Sequence, residues 1–335
     1  MLAWLLRRRS FAVVHSVAPV LINVVRNGHV ESQHRGSLVL LDPSGAAVVT
    51  AGCVDDPVFP RSSLKPLQAV AMVTAGFPGR GASLALAAAS HDGEDVHVAG
   101  ARATLAAAGL DDSALQCPPE LPSGPAALLD WVAAGGRPAR VCHNCSGKHA
   151  AMVATCVAMG WSVGTYRDPS HPLQVVIRDA VERLSGDRVA ATATDGCGAP
   201  AFAISLRALA RAFGALATAD GGAEALVRQA MRAHPRLIGG TGRAVSELTA
   251  EVPGLICKEG AEGVWGAALP DGRAFAAKIE DGGMRGLPPL LAAALHYWQI
   301  DGPAVRRWSA PEVRGGSAAV GTIGWASELR ELLDG

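Results

Sequence analysis

The polarity pattern changes character twice along the chain. Residues 36–53 (GSLVLLDPSGAAVVTAGC) form two apolar runs around Pro43-Ser44-Gly45, a β-hairpin signature, so the chain is expected to begin with antiparallel sheet. From about 62 to 247 it is rich in Ala and Leu, with helix-like stretches at 64–75, 97–108, 147–159, 172–185, 199–217 and 223–233 broken by Gly and Pro. After Gly254 strand character returns as GLICKEGAEGVWGAAL, a Pro270-Asp271-Gly272 turn and RAFAAKIEDG, followed by a closing helix at about 284–298. Strands this far apart usually rejoin one sheet, which predicts an α+β architecture: an antiparallel sheet flanked by helices, with an inserted helical lobe. The expected division is a sheet lobe at about 18–60 and 250–325 and a helical lobe at about 61–249, one domain spanning 18–335. A cleft between lobes is the default place for a small-molecule site.

A chain of 335 residues supports a large hydrophobic core and needs no disulfide scaffold. Lys+Arg 30 balances Asp+Glu 30, so no global field favours nucleic acid or anionic lipid, and a small molecule is the expected partner. The apolar start Met1-Leu2-Ala3-Trp4-Leu5-Leu6 is too short to span a bilayer, and Arg7 to Arg9 follow it where a signal peptide has its charges first. Residues 1–17 are therefore expected to be a loosely attached tail or an over-long start. Seven cysteines, an odd number, suit a reducing cytoplasm.

The first candidate chemistry lies in Phe59-Pro60-Arg61-Ser62-Ser63-Leu64-Lys65-Pro66. Pro66 is tolerated only in the first turn of the helix that follows, so that helix starts near Ser62 or Ser63. Ser62 and Lys65 then share a face, with the amine in reach of the hydroxyl and the helix N-terminus favouring a developing oxyanion. A lysine acting as a base must be neutral, which apolar burial plus a second cation could supply. A bare S-x-x-K is more often a plain helix cap with an exposed lysine, so the motif needs context.

Two further segments supply context. Ala89-Ser90-His91-Asp92-Gly93-Glu94 is a polar cluster directly after an apolar run, and Ile256-Cys257-Lys258-Glu259-Gly260 embeds a lysine in an apolar strand before a close-packing glycine. Strand lysines are seldom buried unless paired or functional. S-x-x-K at a helix start, a serine loop and a late K-x-G strand resemble the layout of β-lactamases, penicillin-binding proteins and glutaminases. That layout makes Ser62 the nucleophile and Lys65 the base, with Ser90 and Lys258 a second pair relaying a proton to the leaving amine.

A third constellation is Cys142-His143-Asn144-Cys145-Ser146-Gly147-Lys148-His149 with Asp195-Gly196-Cys197-Gly198 about fifty residues later. Thiolates are good zinc ligands, but Cys142-x-x-Cys145 has no second C-x-x-C, so spacing alone leaves a metal site and inert core thiols equally open.

ESQHRG (31–36), FPRSSLKPLQ (59–68), ASHDGE (89–94), HNCSGKHAAM (143–152), DGCGAPAFA (195–203) and KEGAEGV (258–264) together resemble the rhizobial-type L-asparaginase II family, in order, from about residue 18 to 300. The resemblance implies a serine β-lactamase/glutaminase-like fold, usually a homodimer, that hydrolyses L-asparagine to L-aspartate and ammonia. It implies two Ser-Lys tandems, Ser62/Lys65 and Ser90/Lys258, and one zinc ion per chain on Cys145, Lys148 and Cys197. It also implies that Arg61, His149 and Asp195 lie near the substrate, where a zwitterion needs ionic partners. Some family members carry a cysteine where this chain has Val245, so nothing is carried over there. Two other readings remain: a glutaminase or penicillin-recognising serine acylase, and a non-catalytic zinc-binding protein, against which the lysine of the Lys258 strand argues.

Overall fold

A computed structural model describes residues 18–334. The tail expected at residues 1–17 lies outside the described residues. Three strands open the structure: β1 (Val20–Arg26), β2 (His29–Leu41) and β3 (Ala47–Ala51), followed by the short β4 (Pro57–Val58). Helices α1 (Lys65–Ala75), α2 (Ala82–Ala87), α3 (Asp95–Ala107), α4 (Pro125–Ala133), α5 (Ser146–Met159) and α6 (Pro172–Ser185) come next. Then come β5 (Ala191–Thr194), β6 (Pro200–Ser205), α7 (Leu206–Thr218), α8 (Gly222–Ala233), α9 (Pro235–Ile238) and α10 (Ala244–Glu251). The chain closes with β7 (Ile256–Gly260), β8 (Val264–Ala268), β9 (Ala274–Ile279), α11 (Leu287–Tyr297), α12 (Pro303–Ser309), β10 (Glu312–Gly315), β11 (Ala318–Trp325) and α13 (Ser327–Asp334).

Among the described residues, eight strands from the two ends of the chain form one antiparallel sheet in the order β10-β11-β1-β2-β9-β8-β7, with β3 also on β2. The predicted hairpin is present, Leu38 pairing with Ala51. The Asp42 carboxylate closes its turn by accepting from the backbone N–H groups of Ser44 and Ala46 at 2.8 and 3.0 Å. The hairpin before it was not anticipated: Asn27-Gly28, with φ of 46° and 81°, makes the two-residue turn between β1 and β2 that an Asn-Gly pair favours. The Pro270-Asp271-Gly272 turn joins β8 to β9 as expected.

The helices expected at 64–75, 97–108, 147–159, 172–185 and 223–233 fall on α1, α3, α5, α6 and α8. The stretch 199–217 divides into strand β6 and helix α7, where the Ser205 hydroxyl accepts from the Ala208 N–H at 3.1 Å. A fully buried apolar run lacks the alternation that marks a strand, which is why PAFAIS passed for the start of a helix. β6 joins β4 and β5 in a separate three-stranded sheet. Helix α7 packs its apolar face on β2, β8 and β9, with Phe213 buried against the sheet. Among the described residues no helix is long and apolar enough to cross a membrane.

Candidate active site

The site is assembled where the edge strand β7 meets the start of α1. Residues Arg61–Leu64 form a 3-10 turn that runs into α1, and the Lys65 N–H donates to the Ser62 carbonyl. Gly260 lets the strand approach: a Cβ there would lie 2.1 Å from the Pro60 carbonyl oxygen and 3.0 Å from the Ser63 nitrogen. The Ser63 hydroxyl seals the contact by donating to the Lys258 carbonyl at 3.0 Å. Arg61 holds φ of 53°, a left-handed conformation that costs a non-glycine residue energy and persists only where surroundings impose it. The Arg61 side chain is held by Asp195, whose Oδ1 accepts from Arg61 Nε at 2.6 Å.

Lys65 is 1% exposed, and its amine donates to the Ala89 carbonyl at 2.5 Å and the Ser90 hydroxyl at 2.9 Å. Among the described residues the half-buried Ser62 hydroxyl makes no hydrogen bond. The geometry thus brings Lys65 to Ser90, whereas the sequence assigned Ser62 to Lys65 and Ser90 to Lys258. The physical reason is that Ala89 and Ser90 end the apolar run behind α1, where a buried amine finds the acceptors its N–H groups need.

Lys258 is fully buried, donating to the Glu259 carbonyl at 2.8 Å with Glu259 Oε2 3.4 Å away, an ion pair without hydrogen-bond geometry. Burial pushes the Lys258 amine down to about 8; Glu259 opposes that shift, and the cations Lys65 and Arg243 add to it. The Ser90 loop is tied down on both sides. Its backbone N–H groups donate to carbonyls of Ile238, Asn144 and Gly239 from Ser90, His91 and Asp92, at 2.9, 3.0 and 2.8 Å. His91 Nε2 meets the Ser146 hydroxyl at 3.0 Å, while Glu94 accepts from the Arg236 guanidinium and the Thr241 N–H.

The second cluster adjoins the first. Cys145 caps α5, Lys148 and His149 lie in its first turn, and Cys197 comes from the turn after β5; all four are buried. Lys148 Nζ donates to the Cys197 sulfur at 3.1 Å. The Cys145 thiol has two acceptors in reach, Asn144 Oδ1 at 3.0 Å and the Cys197 sulfur. Donation from Cys145 holds the Cys197 thiol far below the usual thiol range; burial works against this, and Lys148 and His149 reinforce it. Burial likewise works against the Lys148 cation, but Cys197, Cys145 and Asp195 outweigh it and hold the amine above its usual range. His149 Nδ1 meets the Tyr166 hydroxyl at 2.6 Å and its Nε2 is buried without a partner. Asp195 joins the clusters: beyond Arg61, it accepts from the Gly196 N–H at 2.8 Å and lies 3.9 Å from the Cys197 sulfur.

Two thiols and an amine in mutual contact fit the donor set expected for zinc. Among the described residues no group of three or more His, Cys, Asp or Glu side chains is arranged to hold a metal. Cys142 stands apart, its thiol pushed up to about 11 by burial with Arg102 and Asp112 as charged neighbours.

Residues 22–325 match the family described as L-asparaginase II. The chain belongs to that family. Similar solved structures include a protein titled Mglu in its native form, 15% identical, TM-score 0.44, covering 80% of this chain and 66% of that one. This chain therefore spans just under two thirds of that protein's length. Others are a β-lactamase from Mycobacterium bovis, 14% identical, TM-score 0.39, covering 74% of this chain and 88% of that one, and a Bacillus glutaminase, 13% identical, TM-score 0.38, covering 79% and 91%. A search of the curated proteins finds no match.

Apart from Cys142, the residues singled out for catalysis, substrate or metal in this asparaginase-family chain lie in one of the two adjoining clusters. Sequence reasoning missed Arg243, which bridges Asp92 and Glu259, and Tyr166, which orients His149. Arg243 stands in Gly239-Gly240-Thr241-Gly242-Arg243, which signals only a turn, and an arginine there has no motif to mark it. Glu259 carried a signal in its position beside a strand lysine, since a buried cation wants a carboxylate neighbour.

Proposed function

We propose that this protein is an amide hydrolase that converts L-asparagine and water to L-aspartate and ammonia through a covalent acyl-enzyme on Ser62. The observation that carries this reading is the buried Lys65 amine hydrogen-bonded to Ser90 one turn from Ser62, with Lys258 behind it. The Ser62 oxygen attacks the carboxamide carbon, and its proton passes to the Lys65 amine. The Ser90 hydroxyl, in contact with that amine, hands a proton to the departing nitrogen, so that ammonia leaves and an ester remains. Water then attacks the ester carbon, gives its proton to the same relay, and releases aspartate and the Ser62 hydroxyl. Lys65 returns the proton it took to the Ser90 hydroxyl, and Lys258, while its amine of near-neutral pKa is uncharged, is the second base that draws the water's proton into the relay.

Arg61 and Asp195 give a zwitterionic substrate one cation and one anion at the mouth of the relay. Cys145, Lys148 and Cys197 would hold zinc, which supplies a fixed positive charge that organises the substrate side of the pocket. The decisive experiment measures ammonia release from Asn, Gln and benzylpenicillin in parallel, with zinc content on the same sample. Preference for Asn with inert penicillin supports the reading. Preference for Gln makes the protein a glutaminase, and rapid penicillin hydrolysis sinks the proposal.

A further inference from the structure

Arg243, just ahead of α10, is the only group that touches both halves of the relay's charged surround among the described residues. Its guanidinium donates to Asp92, two residues from Ser90, and at 3.0 Å to Glu259 Oε1, next to Lys258. Both carboxylates are buried, at 7% and 5% exposure, and a buried carboxylate needs a partner to offset lost hydration. One planar fork serves both, a geometry that a lysine ammonium does not reproduce. The Asp92 end is anchored further by its own backbone: its N–H donates to Gly239 and its carbonyl accepts from Gly124, each at 2.8 Å. Nothing in the proposed acyl transfer makes use of Arg243.

We propose that Arg243 is a positioning residue: it clamps the Ser90 loop to the Lys258 strand and holds the Glu259 carboxylate back from Lys258, keeping that amine available to the relay. The proposal rests on the reading that Lys258 takes part in catalysis. The titratable groups facing Lys258 are Lys65 from α1, Cys257 and Glu259 from its own strand, and Arg243, with Asp92 acting through Arg243. The Cys257 thiol is pushed up to about 12 by burial and carries no charge near neutrality. Lys258 is thus balanced between the Glu259 anion and the Arg243 cation, with Lys65 adding a second positive charge whenever it carries the proton. Removing Arg243 takes away a cation and frees Glu259 to move onto the amine, so both consequences favour the protonated form.

The test is the pH profile of kcat on the zinc-loaded full chain for Arg243→Gln, Arg243→Lys, Glu259→Gln and Lys258→Ala. In Arg243→Gln the rising limb should move up by about one pH unit, with kcat at pH 7 falling about tenfold and KM changing little. Glu259→Gln should move the same limb down, the opposite direction, because the anion is lost instead. Arg243→Lys should return the limb to its original place while leaving kcat reduced, since charge is restored without the fork. A role confined to packing would lower the melting temperature of Arg243→Gln and leave the limb unmoved; that result overturns the proposal, as does a shift of the same sign in Glu259→Gln. Should Arg243→Gln not fold, Arg243→Lys still decides: a reduced kcat with the limb in its original place supports the clamp, and wild-type kcat overturns it. Full activity in Lys258→Ala defeats the underlying reading itself, whereas an inactive Lys258→Ala with an unmoved Arg243→Gln limb defeats only the role of Arg243.

Discussion

Lys258 and Lys148 are buried to the same degree, at 0% and 1% exposure, and their amines are pushed in opposite directions. Burial disfavours the charged form of both. Lys258 has one carboxylate, Glu259, set against the cations Lys65 and Arg243, so burial wins and the amine falls to about 8. Lys148 faces two sulfurs and Asp195, and these win. A buried lysine is therefore not one kind of object. The partners determine whether it behaves as a proton carrier or as a cation whose proton a metal must displace before the amine can join its sulfur neighbours as a ligand.

The largest effect is expected where the contrast matters for turnover. Ser62→Ala and Lys65→Ala should each reduce kcat by about 10⁴-fold or more with the fold retained, and the double variant should be little worse, because members of one nucleophilic unit are non-additive. Unchanged kcat in either single variant would sink the Ser-Lys assignment.

In the sulfur cluster the expected effect is on metal and stability. Cys197→Ala should lose the roughly one zinc per chain expected and, without metal, should unfold about 3–5 kcal/mol more easily, because the Lys148 cation is left buried without its principal partner. Adding Lys148→Met should recover much of that loss in chemical denaturation; failure to do so would mean the amine is not the source of the cost. Loss of zinc should raise KM more than it lowers kcat, and a kcat that collapses and recovers with the metal at constant KM would place the chemistry elsewhere than Ser62.

Lys258→Met should act in the other direction. A folded pKa of about 8 against an unfolded value of about 10.4 means the unfolded chain binds more protons between those values, so stability rises with pH through that window and the penalty is complete below it. Removing the amine should therefore stabilise the inactive protein at pH 7 by on the order of 2–3 kcal/mol and flatten the slope between pH 8 and 10. A destabilised Met variant with the slope intact would show that Lys258 is held charged like Lys148.

The smallest expected effect lies in the contact that positions both lysines' neighbours. Gly260→Ala places a methyl group against the Pro60 carbonyl and should cost about 1–3 kcal/mol in thermal unfolding while pushing Ser62 out of line and lowering kcat. Wild-type kcat in that variant would show that β7 does not set the nucleophile's position.

The local chemistry of the chain was legible without its fold. Asp42 and Gly45 close one hairpin and Pro66 begins α1, because turn and cap signals depend on neighbours within a few residues. The identities of Ser62, Lys65, Ser90, Lys258, Cys145, Lys148 and Cys197 were legible for the same reason, each carried by a short ordered segment. Which amine bonds which hydroxyl was decided only by tertiary structure: Lys65 reaches Ser90 because α1 packs against the end of the α2 segment, a contact set by the core and not by spacing. Nor could the split of 199–217 into β6 and α7 be read locally, since burial on all sides erases periodicity. The charge states of the two lysines depend on Arg243 for Lys258 and on Asp195 and Cys197 for Lys148, all distant in sequence from the amine they act on, and only Glu259 lies beside its lysine. Electrostatic energy follows distance in space, and the chain does not carry that distance until it is folded.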